Sequence, residues 1–159
     1  MTRTSSLPDG DQDFVTMSVA GTCLGIPVLR VRDVLDTPVI HRVPLAPPEI
    51  FGSVNLRGRI VTAIDLRTRL ALPARGKDER CMCVTVERLA GGAGEAYAIL
   101  VDEVGDVLTM PASAYEPNPV TITERWRGLC RGLYRREASL LVVLDVDALL
   151  DIEAGLQAA

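Results

Sequence analysis

The chain has 159 residues, 48% of them hydrophobic but only 4% aromatic, and a formal net charge of −4. A domain of that size buries about 70% of the surface its unfolded chain exposes, enough for an aliphatic core without disulfides or metal. The acidic balance argues against a phosphate-backbone binder, which needs a basic surplus on one face. The longest strongly apolar run, Leu140 to Leu144, falls far short of the ~20 residues that span a bilayer.

Residues 1–12 are polar and read as a disordered tail without a signal peptide, so a soluble cytoplasmic protein is expected. From Asp13 the pattern alternates, with Val15, Met17 and Val19 on one face and Phe14, Thr16 and Ser18 on the other, until Gly21 breaks the strand. Residues 23–29 read as a second strand, 30–36 as a short helical or irregular turn, and 38–43 as a further strand bounded by Pro38 and Pro44. Pro47, Pro48 and Gly52 mark a loop or single helical turn. Two apolar stretches between Ser53 and Leu66 flank Arg57-Gly58, which predicts a hairpin with Gly58 at positive φ. Residues 73–79 are a polar break, and strands at 81–88 and 95–101 are joined by a glycine-rich loop, 90–94. Residues 111–119, with three prolines, read as extended loop, and Ser139 to Asp145 as a strand. Val146 to Glu153 then reads as a short helix capped by Asp145.

A short internal repeat accompanies this pattern. Asp33-Val34-Leu35 with Pro38 recurs as Asp106-Val107-Leu108 with Pro111, and Ile64-Asp65-Leu66 as Leu144-Asp145-Val146. In each half the second Asp follows an Arg-Gly pair and a dense apolar strand. With the strand spacing, the repeat favours a mostly β chain of two similar small barrels, and no βαβ alternation supports a doubly wound sheet.

Catalytic chemistry is hard to assemble from these residues. His41 is the only histidine and lies beside Arg42, which disfavours an imidazolium intermediate. There is no G-x-S-x-G elbow, no phosphate loop and no dinucleotide fingerprint. Asp102, Glu103 and Asp106, like Asp145 and Asp147, are close in sequence, but capping explains Asp65 and Asp145 more simply than acid–base work does. Cys23, Cys81, Cys83 and Cys130 are expected to be reduced. Cys81 and Cys83 read as buried residues on one strand face, without the further ligands a structural zinc takes. No enzyme activity and no cofactor are expected. Sixteen of the 17 basic residues are Arg, which suits protein interfaces and is equally what a GC-rich genome would encode.

Gly52-Ser-Val-Asn-Leu-Arg-Gly-Arg-Ile-Val-Thr-Ala-Ile-Asp-Leu-Arg67 closely resembles the signature of the CheW family. Asp33-Val34-Leu35, Tyr97 to Leu108, and Trp126-Arg-Gly128 through Leu144-Asp145-Val146 resemble further stretches of the same pattern, so the resemblance runs from Phe14 to Ile152. It implies a single domain over 13–155 of two packed five-stranded SH3-like barrels with short helices. One subdomain would be formed mainly by 23–75 and the other by 13–22 plus 80–155, the N-terminal strand crossing into the C-terminal barrel. It also implies a non-catalytic adaptor in chemotaxis signal transduction, cytoplasmic and recruited to membrane-associated receptor arrays. One surface would bind the cytoplasmic tip of a chemoreceptor (methyl-accepting protein), another the regulatory domain of a CheA-type histidine kinase, with neither nucleic acid nor direct membrane insertion.

Carried over residue by residue, the resemblance places Val31, Asp33, Gly52 and Arg57 in the receptor-facing groove. Core packing and turn geometry explain Val31 and Gly52 as well. Arg57 beside a hairpin glycine is exposed by default, and Asp33 could orient it through an ion pair worth only ~0–1 kcal/mol at the surface. Three alternatives stand beside this reading: a CheW-like module that binds receptors without kinase in a gliding or developmental pathway, a small-barrel nucleic-acid binder, which would want more exposed aromatics on a basic face, and a thiol or metal enzyme at Cys81/Cys83.

Overall fold

The computed structural model describes residues 10–36, 38–41, 45, 50–73, 81–87, 96–117, 124–136 and 139–151. In chain order the strands are β1 (Gln12–Val19), β2 (Thr22–Pro27), β3 (Val31–Asp36), β4 (Ile40–His41), β5 (Ile50–Leu56), β6 (Arg59–Asp65), β7 (Met82–Glu87), β8 (Ala96–Val101), β9 (Glu103–Met110), β10 (Tyr115–Glu116), β11 (Cys130–Arg135) and β12 (Leu140–Leu144). Three short helices, α1 (Leu66–Arg69), α2 (Glu124–Leu129) and α3 (Val146–Leu150), interrupt them. The strands form two sheets, ordered β10-β11-β12-β2-β1-β9 and β4-β5-β6-β8-β7-β3.

Written in that direction, the two sheets are the same sheet twice. In each, a two-residue edge strand leads into two antiparallel strands, and the second of these pairs in parallel with the next, β12 with β2 and β6 with β8. The short sequence repeat falls on matching places: Asp33 lies on β3 and Asp106 on β9, while Asp65 and Asp145 end β6 and β12. Each of these last two is an N-cap: Asp65 Oδ1 accepts from Arg67 N at 3.1 Å and Asp145 Oδ1 from Ala148 N at 3.2 Å, satisfying a first-turn amide that has no helical partner. The Arg-Gly pairs do not match. Arg57-Gly58 is a turn, whereas Arg131-Gly132 lies inside β11.

The match extends to irregularities that no composition reveals. β5 is bulged between Ile50 and Gly52, and β11 between Cys130 and Gly132. A Cβ at Gly52 would overlap the carbonyl oxygen of His41 on β4, and one at Gly132 would overlap the ring of Tyr115 on β10. Both glycines therefore let an edge strand lie close. β3 and β9 carry the second pair of bulges. Beside them two buried threonines are satisfied alike, Thr16 Oγ1 donating to the Asp106 carbonyl at 2.7 Å and Thr85 Oγ1 to the Asp33 carbonyl at 3.4 Å.

The mostly β, two-subdomain architecture is as expected, and each sheet is five strands plus a two-residue edge piece. The division of the chain differs. β2 belongs with β1 and the C-terminal strands, and β7 and β8 close the sheet begun by β3, so 82–101 joins 31–65. The reason is the repeat itself: a hairpin must complete each four-strand run, and the C-terminal run is completed by the chain's first hairpin. Residues 30–36 are not a turn; only Val28–Arg30 is a 3-10 turn, and β3 follows it. Gly52 lies within a strand rather than a loop. β9 and α2 arise where no element was expected, and 111–117 holds a 3-10 turn and β10. The expected tail over 1–9, break over 74–79, loop over 90–94 and helix end at 152–153 lie outside the described residues, while Gln12 already pairs with Met110.

Burial divides three ways. Val54, Val61, Ala63, Cys83, Ala98 and Leu100 fill one barrel, and Phe14, Met110, Tyr134, Leu141 and Val143 the other. The largest core lies between them, where Val15, Met17, Leu24 and Ile26 of one sheet meet Ile64, Val84, Ile99 and Val101 of the other. β1 and β7 thus bury both faces. Across this seam Arg69 Nη2 and Nε donate to the Ala148 and Leu149 carbonyls of α3 at 2.9 and 3.1 Å, and Trp126 Nε1 donates to the Leu70 carbonyl at 3.1 Å.

Cys83 and Cys130 are buried, Cys23 and Cys81 only partly; Cys81 precedes β7 rather than lying in it. Burial, then the neighbouring Cys81 and Asp33, push the Cys83 thiol up to about 12; burial, then Asp145, does the same for Cys130. Thiolate is the reactive form, so both should resist alkylation until the protein unfolds, as mass-resolved labelling will read. Labelling of Cys83 at the unfolded rate would place it outside the core. Because the native pKa lies above the unfolded 9.0, the thiols' contribution to stability is intact below that pH and is lost as pH rises toward about 12. Denaturant titrations across that window should show the fall.

Candidate partner-binding site

Arg57 and Gly58 are the two central residues of the β5–β6 hairpin, between the paired Leu56 and Arg59. Both lie at positive φ, 51° and 87°, as a two-residue type I′ turn requires. Gly58 adopts this freely, whereas Arg57 bears a steric cost of about 1 kcal/mol, as left-handed L-residues do. The Asn55 side chain secures the turn, its Oδ1 accepting from Gly58 N at 3.0 Å.

From this tip the Arg57 side chain crosses to β3, where Nη2 lies 3.2 Å from Asp33 Oδ1. β3 is at the far edge of the sheet and is not hydrogen-bonded to β5 or β6, so the ion pair bridges two segments that the backbone leaves unpaired. Its members remain open to solvent, with side chains 78% and 27% exposed. The β3 bulge sets its direction. Val31 pairs with Val86 and packs against the seam core, while Asp33 pairs with Thr85 and turns to the face of Leu35 and Cys83. Without the extra residue Val31 and Asp33 would share a face, since strand side chains alternate.

Of the four residues assigned to one groove, the structure therefore brings two into contact, Asp33 and Arg57. Val31 lies beneath them, half-buried at the seam. Gly52 is buried five positions back along β5, about 17 Å away at the usual strand rise, with a packing task that its counterpart Gly132 shares. Sequence reading missed the exposed aliphatics flanking the pair along the chain: Val34, next to Asp33, and Ile60, 77% exposed, three residues past Arg57. The misread turn at 30–36 hid Val34. Ile60 carried a legible signal, an apolar residue opposite Asn55 on an outward strand position.

The surroundings offer little for bond-making. Among the described residues no group of three or more His, Cys, Asp or Glu is placed to hold a metal ion, and no helix is long and apolar enough to cross a membrane. An exposed cation tied to a carboxylate at a hairpin tip can make charge-assisted hydrogen bonds to another macromolecule.

Comparison with known proteins agrees with the fold. The model of the CheW-like domain matches residues 13–154. The chemotaxis protein CheW of Bacillus subtilis is 30% identical over 152 residues, spanning 96% of this chain and 94% of that protein. That of Klebsiella aerogenes is 29% identical over 145 residues, 89% of this chain and 83% of that one. The crystal structure of the scaffolding protein TtCheW from Thermoanaerobacter tengcongensis superposes with a TM-score of 0.77 at 26% identity, covering 88% of this chain and 92% of that one. With two SH3-like subdomains and a family match over nearly all its length, the chain belongs to the CheW-like domain family.

Proposed function

We propose that this protein is a non-catalytic chemotaxis adaptor that couples chemoreceptors to a CheA-type histidine kinase. The observation that carries the reading is Arg57, held in a strained turn, 78% exposed and aimed by Asp33, inside the family's Asn-Leu-Arg-Gly signature. A surface ion pair adds only ~0–1 kcal/mol to stability, and the turn conformation subtracts from it, so the fold gains little from this residue. The names of its relatives, chemotaxis proteins and a scaffolding protein, support the same class of role. Arg57 and Asp33 would meet the receptor's cytoplasmic tip, with Ile60, exposed on the same hairpin, as a further apolar contact. Val31 and Gly52 would shape that surface from below, through the seam and the β4–β5 contact. The kinase regulatory domain would take a separate surface, and the protein would be cytoplasmic, gathered at membrane-associated receptor arrays.

Titrating a purified receptor tip and the kinase regulatory domain against variants tests this. Arg57→Ala leaves another L-residue in the left-handed turn, so stability should move by no more than about 0.5 kcal/mol. Receptor affinity should fall by about 1.5–3 kcal/mol as charge-assisted hydrogen bonds are lost. Arg57→Lys should restore part of it, since a point charge cannot reproduce the guanidinium fork, and kinase affinity should hold throughout. Arg57→Gly should melt higher than Arg57→Ala, by about 0.5–1 kcal/mol in stability, because the backbone strain is relieved. Receptor affinity unchanged in all three variants would remove Arg57 from the site.

Gly52→Ala separates shape from contact. The new methyl must push β4 away, so the protein should lose about 1–3 kcal/mol of stability, and Gly132→Ala should lose a similar amount. An unaltered thermal melt with weakened receptor binding would instead make Gly52 a contact residue.

A further inference from the structure

The chain passes between the two sheets twice, from β2 to β3 and from β8 to β9. Each passage is held by an ion pair from the second residue of a helix that ends a parallel-paired strand. After β8 stands Asp102, and Arg67 of α1 grips it with both arms, Nε to Oδ1 at 3.0 Å and Nη2 to Oδ2 at 2.6 Å. The same Oδ2 accepts from Ala20 N at 2.8 Å, in the β1–β2 turn of the other sheet, and Asp102 N donates to the Ser18 carbonyl at 3.1 Å. One carboxylate thus holds a helix of one barrel and a turn of the other. After β2 stands Arg30, whose Nη2 lies 3.0 Å from Oδ1 and Nη1 3.4 Å from Oδ2 of Asp147 on α3; Nη2 also donates to the Glu87 carbonyl at 2.9 Å, at the end of β7. The two clamps occupy matching places with opposite polarity: the cation is on the helix in one and on the passage in the other.

The seam they border is lined by Val, Leu, Ile and Met. Apolar attraction of that kind is non-directional; orientation across the seam is set by how its side chains interlock and by the directional bonds that cross it, those of Arg69 and Trp126 to backbone carbonyls and these two charged pairs. Bidentate charged hydrogen bonds are directional. With side chains 10% and 23% exposed for Arg67–Asp102, and 20% and 38% for Arg30–Asp147, both pairs are shielded enough to resist salt screening.

We propose that Arg67–Asp102 and Arg30–Asp147 are positioning pairs that fix the angle between the two barrels, and with it the joint engagement of two partners rather than the binding of either alone. The second half rests on the adaptor reading; the first does not.

The test replaces each pair by neutral side chains in the full chain, Arg67→Met with Asp102→Asn and Arg30→Met with Asp147→Asn, and measures backbone residual dipolar couplings. The amide introduced by Asp102→Asn keeps an oxygen for Ala20 N, and the Arg30 pair, being more exposed, decides the matter should the other variant not fold. In the unaltered protein one alignment tensor should fit both sheets. In the variants each sheet should still fit its own tensor while a common one fails, and Arg67→Lys should fall between. A common tensor that fits the folded double variants as well as the unaltered protein overturns the proposal. Titrations with receptor tip and kinase domain supply the second readout. Each separate affinity should stay within about two-fold, as for distant sites, while the affinity for the second partner in the presence of the first falls at least about five-fold. Unchanged joint affinity overturns the second half. An unaltered protein that binds neither partner fails the adaptor reading and leaves the angle to the couplings.

Discussion

The interior of each barrel is small, and the largest apolar cluster lies in the seam between them. One interior is filled by small residues, Ala63, Cys83, Ala98 and their valine and leucine neighbours; the other depends on Phe14 and Tyr134, whose rings lie 5.2 Å apart. Small cores leave small domains marginal. Putting Val84, Val86, Ile99 and Val101 against Val15, Met17, Leu24 and Ile26 gives the inner strands a second apolar face, at about 25 cal/mol per Å² of apolar surface buried. That is why β1 and β7 are buried on both faces, the seam face wholly apolar and the barrel face mixing Phe14 or Cys83 with a hydrogen-bonded threonine, and why a chain this poor in aromatics can still be well packed.

The repeat explains how the seam is wired. The run β3 to α1 is followed by its closing hairpin, β7–β8, while the matching run β9 to α3 is closed by β1–β2 from the other end of the chain. The second barrel therefore depends on contacts between residues more than a hundred positions apart, such as Val142 beside Leu24. Loop closure over such distances costs entropy before any packing is gained. The closing hairpin sits on the seam side, so the contacts that complete the barrel also join the two barrels.

The legible parts of the sequence were those in which one local rule decides. Arg57-Gly58 between apolar runs had to be a tight hairpin, and an Asp ending an apolar strand before a short helix had to be a cap. The family signature supplied the Asp33–Arg57 pairing as a suggestion, and the 3.2 Å contact realises it. What failed were the bulged strands. Arg32, Gly105 and Asp106 break the alternation of β3 and β9, so the first looked like a turn and the second like no element. The prolines before Gly52 signal a loop, whereas the residue lies in β5 and serves a close approach of His41. The seam clamps were beyond reading, since residues 35 and 117 positions apart leave no mark in local pattern.

The internal symmetry also sorts residues by purpose, independently of any relative. Where the halves agree, at Gly52 and Gly132, at Thr85 and Thr16, at Asp65 and Asp145, each residue solves a problem both barrels share: a crowded bulge, a buried hydroxyl, a helix start. Folding alone accounts for them. Between β5 and β6, and between β11 and β12, the halves part company. Counting along the sequence from the matched glycines, Arg57-Gly58 corresponds to Glu137-Ala138, a pair of different charge and without glycine. The strands on either side are equivalent, so the fold does not require an arginine there, and it tolerates a strained φ of 51° to keep one. Arg57 is thus a residue that one barrel carries and the other omits, which is what the proposed partner contact at this turn requires.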